Sequence, residues 1–148
     1  MDIESIKVLI DYGVIAVLGL MGFVALWAYI ERLIFFFRVD LSSYRYKEEL
    51  DIDLTKNIAI ISSVGSNAPY VGLLGTVLGI IITFYLLGES GQASATGIMK
   101  SLSLALKATA LGLVVAIPSM LFYNHVVRKI EVLQNRWEIL QKDADKKV

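Results

Sequence analysis

The sequence predicts an all-α membrane protein with three transmembrane helices, and three observations carry that reading. Of its 148 residues, 56 % are hydrophobic and 19 % charged, against roughly 25 % charged in an average globular chain. Mean hydropathy is +0.65. The charges are gathered into blocks, which leaves three long apolar stretches. These stretches are continuous and lack period-two alternation, so they read as helices rather than as strands of a barrel.

The first stretch has no charge from Tyr12 to Ile30 and resumes after Glu31 and Arg32 with Leu33–Phe37. As a helix, 12–37 would be about 39 Å long, against a hydrocarbon core of about 30 Å. A cleaved signal peptide begins basic and ends in small residues. This segment follows Met1-Asp2-Ile3-Glu4 and carries Trp27, Tyr29 and Phe35–Phe37, so a retained span is expected. The second stretch, 57–88, would be about 48 Å long. Its span is set at 66–88, with the beginning projecting beyond the lipid. The third, 108–127, is about 30 Å long and fits the bilayer. Its span is set at 103–127, which places Lys107 near the outer end.

Orientation follows from lysine and arginine. Arg32, Arg38, Arg45, Lys47 and Lys56 lie between spans one and two, and Arg128, Lys129, Arg136, Lys142, Lys146 and Lys147 follow span three. Lys7 and Lys100 are all that the opposite side holds. The positive-inside rule therefore puts the N-terminus and the loop Glu89–Lys100 outside, and 38–65 and 128–148 in the cytoplasm.

Those two cytoplasmic segments are not featureless. Val126, Ile130, Leu133, Trp137, Leu140 and Ala144 form an apolar stripe at spacings of four and three. Leu50, Leu54, Ile58, Ile61 and Gly65 form a second stripe before span two, and Leu41 and Tyr44 extend span one more weakly. Spans two and three are expected to continue into a cytoplasmic helical bundle. A tail helix lying on the membrane surface is the alternative, and its mixed charges Glu131, Glu138, Asp143 and Asp145 disfavour that. No linker, repeat or low-complexity tract divides the chain, so 1–148 reads as one membrane domain.

Composition also excludes functions. There is no cysteine and one histidine, so no disulfide scaffold, thiolate site or multi-histidine metal site is expected. Acidic and basic residues number fourteen each, which gives no basic field for nucleic acid. No nucleophile–base constellation or phosphate loop is present, so neither catalysis nor a cofactor is expected.

The two later spans carry small residues on one face: Gly65, Pro69, Gly72, Thr76, Gly79, Thr83 on one, and Ala105, Ala108/Thr109, Gly112, Ala116, Ser119 on the other. Such faces let helices approach closely in lipid. They can pack within one chain or line a channel shared among subunits. Two smooth faces exceed what a single hairpin contact requires, which favours an oligomer, with Gly72, Gly75, Gly79 and Gly112 as close-packing positions. Pro69 and Pro118 free backbone carbonyls and can bend the spans.

The segment Ala68-Pro69-Tyr70-Val71-Gly72-Leu73-Leu74-Gly75-Thr76-Val77-Leu78-Gly79-Ile80-Ile81 resembles the second-span signature of ExbB/TolQ proteins, more distantly related to MotA. Ala108-Thr109-Ala110-Leu111-Gly112-Leu113-Val114-Val115-Ala116-Ile117-Pro118, followed by Tyr123-Asn124, resembles their third-span signature. The resemblance is closest to short ExbB-type chains. It implies a homo-oligomeric ring, a pentamer, in the bacterial inner membrane, with ExbD/TolR-like single-span partners in the lumen. It implies that the proton-motive force drives a TonB- or TolA-like protein, and that Thr76 and Thr109 face the proton-linked interior. Many relatives carry a glutamate five residues before the third-span threonine; here that place is Leu104.

Residue by residue, the alternatives stay open. Thr76 and Thr109, with Thr83 a weaker member, line the pathway or bond back to helix carbonyls. Lys107, a second weaker member, snorkels outward or pairs with a carboxylate on a partner. Glu31 and Arg32 are adjacent and so should not face each other. His125 reads as a solvated interfacial residue rather than a proton relay. The expected function is a motor subunit of a TonB-type energy-transducing complex. A TolQ-type envelope subunit is the alternative within the family, and a flagellar-type stator is disfavoured because it would need a large loop between spans two and three. An autonomous small channel or holin-like pore former is the alternative outside it. Since the second and third spans contain no carboxylate, the titrating group is expected on the partner.

Overall fold

A computed structural model of the chain describes residues 3–90 and 94–146. All regular structure among the described residues is helical. Helix α1 runs Ile3–Arg38, a short 3-10 turn covers Leu41–Ser43, α2 is Lys47–Thr55, α3 is Ile58–Ser90 and α4 is Ala95–Asp145. With 51 residues, α4 is about 77 Å long at 1.5 Å per residue. Among the described residues three helices are long and apolar enough to cross a membrane: Val8–Arg38, Ile58–Glu89 and Ala95–Asp145, the last through its apolar part. Phe23, Leu20, Ile81, Phe84, Val114 and Ile117 all stand exposed along them. A continuous apolar surface of this kind is what lipid solvates and water does not.

Helix ends depart from the sequence expectation in four places. The N-terminal arm is already helical from Ile3, and α4 begins at Ala95, so Lys100 sits on a helix rather than in a loop. Ser94 makes that start possible, its hydroxyl accepting the Gly97 N–H at 3.1 Å. Leu41 and Tyr44 do not extend α1. The chain leaves the helix after Arg38, and the Asp40 carboxylate caps the following turn by accepting the Ser42 N–H at 3.0 Å. Finally, the stripe from Leu50 to Gly65 is not one helix. It breaks at Asn57, whose φ of 62° is left-handed, a conformation that asparagine tolerates better than most side chains.

The apolar stripes nevertheless find each other. Ala28, Leu50, Leu54, Ile61, Val126, Ile130, Leu133 and Trp137 form one buried cluster, with Leu41, Tyr44 and Ile58 packed against it. Polar contacts pin its edges. The Trp137 indole N–H donates to the Tyr44 carbonyl at 3.1 Å, Gln134 donates to Asp51 at 2.8 Å, and the Lys47 ammonium meets Glu138 at 2.5 Å. Leu140 and Ala144 lie past this crossing, and both are exposed. A second cluster, Leu18, Ala68 and Ala116 with Val14, Met21, Val71 and Val115, joins α1, α3 and α4 at mid-length.

Arg32 corrects a further expectation. It is 1 % exposed, and its guanidinium curls back onto its neighbour, donating to both Glu31 carboxylate oxygens at 2.6 and 2.5 Å. The remaining Nη1 donates to the Asp53 carbonyl at 2.8 Å, and the group lies 4.7 Å from the centre of the Phe35 ring. Asn57 donates to the same Glu31 carboxylate at 3.3 Å. Adjacent helix residues point apart at Cβ, but a long arginine stem can bridge that angle. Here burial beside Asp53 of α2 and the Phe35 ring leaves the carboxylate as the available counter-charge.

Candidate functional site

The site begins with two glycines. A β-carbon on Gly72 would lie 2.6 Å from the Ala108 carbonyl oxygen, and one on Gly112 would lie 2.7 Å from the Ala68 carbonyl oxygen. Both distances are too short for any side chain, so the absence of one is what lets α3 and α4 touch backbone to backbone. Gly75 abuts Val14 and Ala108, and Gly79 abuts Ala105. The two small-residue stripes therefore face each other within one chain, and the α3–α4 contact accounts for both smooth faces without a second copy. Pro69 is half-buried and Pro118 is exposed.

Close approach brings two hydroxyls together. Thr76 Oγ1 and Thr109 Oγ1 are 2.5 Å apart, in a contact where Thr76 is buried and Thr109 half-buried. Thr76 also reaches the Ala105 carbonyl at 3.0 Å and the Gly72 carbonyl at 3.3 Å, and Thr109 reaches the Gly72 carbonyl at 3.5 Å. Each hydroxyl has one proton to give, so the bond between them can run in two directions. In one, Thr109 donates to Thr76 and Thr76 to the Ala105 or Gly72 carbonyl. In the other, Thr76 donates to Thr109 and Thr109 to Gly72. The pair can thus be polarised in either direction by rotating two hydroxyls. Thr83, in contrast, is buried and donates to the Gly79 carbonyl of its own helix at 2.7 Å. The structure does not bring it to the other two.

Lys107 is exposed and lines a hollow of about 80 Å³ with Asp11, Val14, Ile15, Gly75, Leu104 and Ala108. Asp11 was not among the residues singled out from sequence, because it lies one position before the first uncharged run. The helical onset at Ile3 brings it inside the Val8–Arg38 span. His125 is exposed and its Nδ1 lies 2.7 Å from the Tyr29 hydroxyl, with Tyr29 stacked on Phe122 at 4.2 Å. Among the described residues no group of three or more acidic, histidine or cysteine side chains is placed to hold a metal ion.

Comparison with known proteins gives this geometry a context. The sequence pattern of the MotA/TolQ/ExbB proton channel family matches residues 40–139. The chain is 54 % identical over 140 residues to a protein named biopolymer transport protein ExbB from Helicobacter pylori strain J99, covering 95 % of this chain and 97 % of that one. It is 52 % identical over 137 residues to a protein of the same name from Aquifex aeolicus, covering 93 % of each. Similarity to the Tol-Pal system protein TolQ of Pseudomonas aeruginosa is 39 % over 84 residues, or 57 % of this chain and 36 % of that one. Three membrane-length helices, a threonine pair at a glycine crossing and a match that takes in both later spans agree: the chain is a short, ExbB-like member of the MotA/TolQ/ExbB proton channel family.

Proposed function

We propose that the chain is the inner-membrane motor subunit of a TonB-type energy-transducing complex. The observation that carries the reading is the similarity, across nearly the whole of both chains, to two proteins named biopolymer transport protein ExbB. The shorter and weaker TolQ match supports the Tol-Pal alternative less. The N-terminus faces the periplasm and the tail the cytoplasm, a reading supported by the distribution of basic residues. Copies of the chain close into a ring, of five by family analogy, since repeated head-to-tail contacts close when their rotation permits. A single-span ExbD-like partner occupies the lumen, and a TonB-like protein receives the work.

Within that assembly the chain's contribution to proton movement is the threonine pair. A threonine hydroxyl does not titrate usefully, but it can accept a hydrogen bond on one side while donating on the other. The two polarisations of Thr76 and Thr109 support passage of hydrogen-bond polarity across the α3–α4 contact. The proton itself is taken and released by a carboxylate on the lumenal partner, because α3 and α4 carry none between Glu89 and Glu131 or between Asp53 and Glu89. Deleting the gene in the native bacterium tests the assignment. Uncoupler-sensitive uptake across the outer membrane is expected to disappear and to return with the wild-type gene. Normal uptake together with leakage of periplasmic proteins would assign the chain to envelope maintenance instead.

A further inference from the structure

Lys107 and Asp11 are the two ionisable side chains lining the hollow between α1 and α4. The hollow is level with the threonine pair, since Gly75 and Ala108, which help line it, are the chain neighbours of Thr76 and Thr109. The rest of the lining is Val14, Ile15 and Leu104. An ammonium among apolar side chains inside a membrane span is costly. It needs a counter-charge, a water-filled cavity or a route to the surface. The volume of about 80 Å³ accommodates a few waters, and charges at both ends supply the polar partners that such waters need. Among the described residues neither side chain has an ion-pair partner within 4 Å, each other included, and within the lining of the hollow each is the other's counter-charge.

We propose that Asp11 and Lys107 act as an intrachain ion pair across this hollow, bridged by water or closed by side-chain rotation, which seats α1 against α4 beside Thr109. The pair is a positioning device. It neutralises Lys107 within its own subunit and leaves a lumenal partner's carboxylate free of that lysine.

Charge exchange tests the pair by melting temperature on the purified chain, and that readout does not depend on the transport reading, whereas uptake in cells does. Asp11→Asn and Lys107→Met each leave one charge without its partner, and each is expected to lower the melting temperature of the detergent-solubilised protein. The double neutral variant and the exchange Asp11→Lys/Lys107→Asp are expected to recover most of that loss. The exchange variant should also regain at least half of wild-type proton-driven uptake in cells, where either single variant retains under a tenth. A silent Asp11→Asn, or a double variant no better than Lys107→Met alone, would overturn the pair. The first of those results would leave Lys107 to the lipid surface, and loss of partner co-purification with Lys107→Met alone would give it to a partner's carboxylate.

Discussion

Gly72 and Gly112 sit so close that a β-carbon built on either would come within 3.1 Å of the other's α-carbon. This contact sets the distance at which everything else on α3 and α4 meets. Thr76 lies one turn along α3 from Gly72, and Thr109 lies three residues before Gly112, so both hydroxyls fall next to the crossing. Separating the helices by the width of a methyl group would break the 2.5 Å contact between them.

Alanine at either glycine is therefore expected to destabilise the protein. Replacing glycine by alanine ordinarily favours a helix by about 0.8–1.0 kcal/mol, but overpacking a tight contact costs about 1–3 kcal/mol. Gly72→Ala and Gly112→Ala should lower the melting temperature in detergent. Gly13→Ala and Gly19→Ala, which would meet nothing within 4 Å, should leave it unchanged or raise it. Equal behaviour of the two groups would contradict the backbone contact.

Valine at the threonines separates shape from hydrogen bonding. Thr76→Val and Thr109→Val should preserve assembly, judged by native mass spectrometry, while proton-driven uptake falls at least tenfold. Thr109→Ser should retain more activity than Thr109→Val, because it keeps the hydroxyl. Thr83→Val should cost little, since the Thr83 hydroxyl bonds only within its own helix. Normal uptake by both of the first two variants would remove the pair from the pathway.

Sidedness can be read by labelling, because the chain has no native cysteine. Ser90→Cys should react with an impermeant thiol reagent from outside intact spheroplasts, and Ser42→Cys only after the membrane is opened. Reaction of both from outside would overturn the orientation argued from basic residues.

Tyr44 offers a pH test away from the membrane. Burial, then the hydrogen bond to Asp53 and its negative charge, push the phenol up from 10.0 to about 12. The folded state thus holds a proton that the unfolded chain releases from about pH 10. Stability from this source is complete below pH 10 and declines as pH rises towards 12. Tyr44→Phe should show a flatter loss of melting temperature across pH 10–12 than the wild type. An unchanged slope would mean that Tyr44 is solvated in the folded protein.

The spans were legible because lipid imposes continuous apolar runs, which composition records directly. The meeting of Thr76 with Thr109 was half legible: spacing placed each on a smooth face, but only packing shows that the faces meet within one chain. The tail stripe was readable as far as Trp137, and Leu140 continued the periodicity past the point where a partner helix crosses. Three features escaped for local reasons. Asn57 breaks a helix through its backbone angle while its neighbours keep helical spacing. Arg32 reaches Glu31 through side-chain length, which positional rules based on Cβ direction ignore. Asp11 lay outside an uncharged run drawn by charge alone, although the helix carrying it begins eight residues earlier.

Helix α4 joins the threonine pair to the Trp137 cluster through a single rod. From Thr109 to Trp137 is about 42 Å at 1.5 Å per residue. Between them stands Pro118, which has no N–H to return to the carbonyl four residues back and so concentrates bending at one point. Mechanically the rod is two stiff shafts sharing one compliant coupling. Ser119, buried and bonded to the Val115 carbonyl at 2.7 Å, lies beside that joint. The coupling therefore separates a shaft that carries the threonine pair from one that is seated in the tail cluster.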